Sequence, residues 1–146
     1  MQIWAARADL SKISVIPSEM SQPDLELVVA GRPLGFKAGL VRGGWNKTSK
    51  KIWEYAKSIR SELKRQYGVD CLPAEKGMAW HFFTVAFFPD MRHTDPENVH
   101  KLAKDALFYR SGGLQDKVTS GSYHPPLLDR QEPRLELQGW YYRWDY

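Results

Sequence analysis

Asp95, Glu97, Asn98, Lys101, Asp105 and Asp116 fall within 22 residues of one another, and the first four crowd the opening of one segment, DPENVHKLAKDAL, residues 95–107. Carboxylates at Asp95, Glu97 and Asp116 are hard oxygen donors with no Cys or His cluster beside them. That chemistry suits Mg²⁺ or Mn²⁺, which bind a few carboxylates together with phosphate oxygens and keep several waters. A lysine such as Lys101 next to a metal-bound phosphate could stabilise charge that develops in a transition state. The plainer account is helix capping and dipole complementation by Asp95 and Glu97, worth about 0.3 to 2 kcal/mol in all, with a surface salt bridge between Lys101 and Asp105.

These residues need an element to hold them. Asp95 can cap, Pro96 suits the first helical position, and Val99, Leu102, Ala103, Ala106 and Leu107 recur at helical spacing before Gly112 and Gly113. Upstream, LELVVA (25–30) reads as a strand ended by Gly31 and Pro33. From Thr48, with Thr48 or Ser49 as cap, Ile52, Tyr55, Ala56, Ile59, Leu63 and Tyr67 form a second helical stripe that Gly68 stops. MAWHFFTVAFF (78–88) lacks polar alternation, as expected of a central strand covered on both faces. KVTSGSY (117–123) and RLELQGWYYRW (134–144) read as two closing strands, the last suited to edge packing or a dimer interface. The order predicts an α/β or α+β fold: a small mixed β-sheet with two main helices packed on it. Residues 1–24 are expected to be an N-terminal arm and linker, and residues 25–146 one domain.

The chain of 146 residues, 42% hydrophobic and 26% charged, is the composition of a globular protein. It contains no run approaching the roughly 20 apolar residues of a membrane span. Arg7 and Asp9 interrupt the start where a secretory signal would be apolar, and Cys71 stands alone, so a cytoplasmic, reducing location is expected. Cys71 lacks the partners of a thiol nucleophile, and His81, His93, His100 and His124 share no metal-ligand spacing.

Charge is unevenly spread. Residues 31–67 hold ten Lys or Arg against Glu54 and Glu62, a local +8 in a chain of net +4. Such a stripe attracts polyanions and releases their counterions. Lys47, Lys50, Lys51, Lys57 and Lys64 are the expected phosphate contacts, with Arg42 and the aromatic Trp45 in the Gly-rich loop GRPLGFKAGLVRGGWNK (31–47) also assigned to DNA. Phe36 and Trp45 are candidates for stacking on opened bases, with core packing the competing role.

DPENVHKLAKDAL together with Asp116 resembles the RusA family of Holliday junction resolvases. The shared signature is two acids separated by one residue, then Asn, a lysine, a DAL step and a further aspartate at fixed distance. About 22 residues carry it, and the order of elements agrees loosely over residues 25–139. The resemblance implies a homodimeric, Mg²⁺-dependent endodeoxyribonuclease (Mn²⁺ being the other candidate ion) that makes symmetric cuts in four-way DNA junctions during recombination and repair. It assigns Asp95, Glu97 and Asp116 to the metal and Lys101 and Asn98 to catalysis. This chain departs from the family in having Glu97 where the second acid is usually Asp, and Gln115 where an Asp often precedes the last acid. The alternative expectation is a non-catalytic nucleic-acid-binding domain that uses residues 31–67.

Overall fold

The computed structural model describes residues 22–36, 47–92, 94–111 and 115–144, with the backbone alone for Lys47, Thr48, Ser49, Gln115 and Asp116. The elements run β1 (Leu25–Ala30), α1 (Lys47–Tyr67), β2 (Met78–Phe88), α2 (Pro96–Leu107), α3 (Gln115–Val118), β3 (Thr119–Tyr123), β4 (Leu127–Leu128) and β5 (Arg134–Arg143). They make a mixed α+β fold, a five-stranded mixed sheet carrying two main helices. The sheet order is β1-β5-β2-β3, with β4 pairing β2 beyond β3. β5 is antiparallel to both β1 and β2, whereas β3 and β4 run parallel to β2.

β1 alternates strictly, with Leu25, Leu27 and Val29 buried and the residues between them exposed. Trp80, Phe82, Ala86 and Phe88 on β2 and Leu135, Leu137 and Tyr141 on β5 turn to the same side. There they meet Ile52, Tyr55, Ala56, Ile59 and Leu63 of α1 and Val99, Leu102, Ala103, Ala106 and Leu107 of α2 in one core. Burying each large aliphatic or aromatic group there contributes about 1.5 to 3 kcal/mol, so both apolar stripes are held against the sheet. Trp80 lies at the centre, stacked with Tyr141 at 4.7 Å and Phe82 at 5.5 Å between ring centroids.

Several sequence expectations change. β2 is central but not equally covered: its helix-facing positions are buried, and from Phe83 to Phe87 the alternate positions are half-buried, because both helices sit on one face. α1 begins at Lys47, which puts Thr48 and Ser49 inside its first turn instead of at the cap. The segment expected to be one strand over 117–123 starts as the helical turn α3 and becomes extended only at Thr119. β4, two residues long, has too little pattern to be read in advance. The aromatic C-terminal strand is not an edge: β5 lies between β1 and β2, with Trp140 fully buried. Its aromatic density fits that interior place, since from Gly139 to Tyr142 residues on both of its faces are buried. Gly112 and Gly113, expected to end α2, lie outside the described residues; the helix stops at Leu107, where Phe108 N–H donates to Asp105 O at 3.3 Å. Asp24, expected in the linker, already belongs to the sheet: its N–H donates to Gly139 O and its Oδ2 accepts from Tyr141 N.

Candidate active site at the start of the second helix

Asp95 is the N-cap of α2, as its position before Pro96 predicts. Its Oδ1 accepts from Glu97 N at 2.9 Å, while its carbonyl accepts from Asn98 N at 3.0 Å and Val99 N at 3.2 Å. One carboxylate oxygen suffices for the cap, so the other can face a ligand. Glu97 projects from the first turn, and its Oε1 lies 3.4 Å from Lys101 Nζ, one turn on. Both side chains are about half-exposed, and an exposed pair in this order adds only about 0.3 to 0.5 kcal/mol. Lys101 is therefore held over Glu97 weakly enough to move when that carboxylate takes another partner.

What places this helix end lies one turn further on, at a residue that the spacing argument passed over. His100 is buried, its Nδ1 lies 2.9 Å from Thr84 Oγ1 on β2, and its ring sits 6.1 Å from that of Tyr123 on β3. Gly121 makes the approach possible: a Cβ there would come within 2.4 Å of Phe82 O and 2.9 Å of His100 Cε1. Burial, then the positive charges of Lys104 and His81, push His100 down to about 4, with Glu97 acting in the opposite sense. The ring is thus neutral near pH 7 and bonds as a neutral imidazole. The signal was present in the sequence, because His100 lies among the apolar positions of its helix and Thr84 inside an apolar strand. Two polar groups on facing buried surfaces must find partners.

On the other flank, residues 32–36 cross the same turn. A Cβ on Gly35 would meet Asn98 C and Val99 N at 2.6 Å, so this backbone lies directly on the first turn of α2. Phe36, a candidate for base stacking, instead packs against the core and meets Trp53 edge-on at 6.5 Å.

The structure thus brings Asp95, Glu97, Asn98 and Lys101 together on one exposed helix end. Asp116 belongs to a different element, α3, which feeds β3 where Thr119 pairs with Trp80 near the start of β2, whereas Asp95 and Glu97 follow the end of β2. Among the described residues no group of three or more His, Cys, Asp or Glu converges to hold a metal ion, and the Asp116 side chain lies outside them. No family model and no curated protein matches the chain.

Of the expected DNA contacts, Lys50, Lys51, Lys57 and Lys64 are exposed on α1, and the seven-residue steps from Lys50 to Lys64 put three of them along one line. Arg65 is drawn away to Glu62 at 2.9 Å, and Arg60 lies over the Tyr109 ring at 4.6 Å. Arg42, Trp45 and the Lys47 side chain lie outside the described residues, as does His93. No helix among the described residues is long and apolar enough to cross a membrane.

Proposed function

We propose that this chain is a metal-dependent, structure-specific endodeoxyribonuclease that cuts four-way DNA junctions, working as a homodimer in the manner its resemblance to the RusA resolvases implies. The observation that carries the reading is the exposed first turn that holds both Asp95, whose Oδ1 caps Glu97 N, and Glu97, with Lys101 Nζ 3.4 Å from Glu97, beside a helix whose outer face is basic.

Two carboxylates and an amide oxygen are hard donors that suit Mg²⁺ or Mn²⁺, and an ammonium beside them suits a phosphate. Asp95 and Glu97 would hold the ion; Asp116, carried on α3 toward the other end of β2, is a third acid on the resemblance alone. When bound, that ion supplies a Lewis acid for an attacking water and for the phosphate oxygens. Lys101, one turn from Glu97, would neutralise charge on the phosphate. Asn98 orients a ligand through its side-chain amide. Lys50, Lys57 and Lys64 contribute sequence-independent attraction to the strands. A two-fold dimer matches a junction with two equivalent scissile phosphates.

A second reading has its own support: an N-cap at Asp95 and an i,i+4 pair at Glu97 and Lys101 are also what an ordinary helix start contains. In that case the chain binds nucleic acid without cutting it.

Cleavage of a labelled immobile four-way junction, against linear duplex, with Mg²⁺ or EDTA, separates the two. Symmetric cuts that need the ion and disappear in Asp95→Asn while binding persists are expected. Binding without cuts under any divalent ion would leave the non-catalytic domain. Asp116→Asn, assayed alongside, tests the third acid independently of the helix pair.

A further inference from the structure

A cleft of about 470 Å³ opens between the start of α1, residues 32–36 and the approach to α2. Its polar lining is Arg32, Lys51, Arg92 and Thr94. Thr94 is the residue before Asp95, and Gly35, also in the wall, lies on Asn98. The cleft therefore adjoins the turn that carries the acids.

Its cations are arranged and not merely near one another. Asp90 takes Arg32 as a two-point pair, Nη2 to Oδ2 at 2.6 Å and Nη1 to Oδ1 at 3.3 Å, and also accepts Arg92 N at 2.9 Å. Arg32 Nη1 donates further to Arg92 O at 3.1 Å. One carboxylate thus fixes both a guanidinium and the backbone that presents the second arginine. The Arg92 side chain is 90% exposed and reaches Asp90 only at 3.9 Å, and Lys51 is exposed on the facing helix. Three cations against one carboxylate leave the wall at +2. An apolar or cationic ligand would leave that charge uncompensated; a single carboxylate or a single phosphodiester would compensate half of it, and two successive phosphates of one strand would compensate all of it.

From this geometry we infer that the cleft is a phosphodiester subsite, in which Arg92, Lys51 and the pinned Arg32 hold the backbone of a nucleic-acid strand on its way to Asp95 and Glu97. The anionic character of the ligand follows from the cleft itself; its identity as the strand being cut rests on the nuclease reading above. A strand crosses the cleft more readily than a compact anion fills it, because 470 Å³ is in the range that takes drug-sized ligands. Arg32 is the positioning member, since its bonds to Asp90 and Arg92 O set where the Arg92 charge stands.

The test uses the full chain and a fluorescent oligonucleotide, single-stranded or assembled into a four-way junction, with binding followed by anisotropy in EDTA across a range of salt. Arg92→Gln and Lys51→Gln are each expected to weaken binding several-fold at low salt and to reduce the slope of log affinity against log salt by about one. Lys76→Gln, an exposed charge in the turn before β2, is expected to leave both unchanged. In cleavage assays the two cleft variants should raise KM with kcat little altered. Unchanged slopes in both variants would overturn the subsite. So would binding of inorganic phosphate by a chain that binds no oligonucleotide, which would make the cleft a site for free phosphate. If the slopes fall as expected but the wild type never cuts DNA, the subsite stands and the nuclease reading falls. If the wild type cuts and the slopes do not move, the reverse holds.

Discussion

The two main helices lie on the same face of the same sheet, yet they are held in different ways. α1 rests on an apolar stripe and is tied by direction-specific bonds at its far end, where the Tyr67 hydroxyl accepts from Glu26 N at 2.9 Å and donates to Glu26 O at 3.3 Å. α2 is keyed at its middle by His100 against Thr84, closely approached by Gly121 and Gly35, and closed at its start by Asp95. The difference matches what each helix is proposed to do. Lysines attracting a phosphate backbone act over several ångströms through flexible stems, so a helix that carries them needs only approximate placement. Acids that share an ion and face a scissile bond tolerate displacements of well under 1 Å. Close backbone contacts are therefore concentrated where the acids are.

The sharpest way to break this comparison is to change the acids without changing their helix. Asn caps as well as Asp, so Asp95→Asn should leave thermal stability within about 0.5 kcal/mol while cleavage drops on the order of 100-fold or more, about 2.7 kcal/mol of transition-state stabilisation. Parallel melting curves and single-turnover rates decide it. A large loss of stability instead would mean that the carboxylate serves the fold.

Next in size is the keying contact. His100→Leu leaves the Thr84 hydroxyl buried without its partner, at a cost of about 1 to 3 kcal/mol, whereas the double change with Thr84→Val should recover much of it. Denaturant titration of the three variants measures the coupling. The same contact gives stability a pH dependence. His100 is held down to about 4, against about 6.5 when unfolded, so between these values the unfolded chain binds the extra proton. Stability is complete above about pH 6.5 and falls as pH drops toward 4, by up to about 3 kcal/mol. Melting curves from pH 4 to 7 should show this slope in the wild type and a flatter one in His100→Leu.

The smallest effect belongs to the pair at the surface. Lys101→Gln removes the 3.4 Å contact with Glu97 and should change stability by no more than about 0.5 kcal/mol. Its effect on cleavage should be far larger than on melting, and equal small losses in both would remove Lys101 from the chemistry.

Most of the core was legible in advance because apolar side chains repeat at the period of the element that buries them. The apolar stripe of α2 follows from that periodicity, the bounds of β2 from a dense aromatic and β-branched run, and the cap at Asp95 from a residue preference one position before Pro96. The placement of β5 between β1 and β2 could not be read the same way, since an aromatic run suits an edge, an interface or an interior strand equally. The α3 turn lacks a pattern altogether: four residues are too few to show a period.

The residue types at the start of α2, the capping of that helix, the apolar stripes and the +8 segment are local matters, because each depends on neighbours within a turn or two of chain. That His100 meets Thr84, that residues 32–36 lie on Asn98, and that Arg32, Asp90 and Arg92 form one cluster beside Lys51 are matters of the fold. Those contacts join residues 16 to 63 positions apart. No local preference specifies such a meeting; it follows from where the sheet order and the packing of two helices bring the backbone.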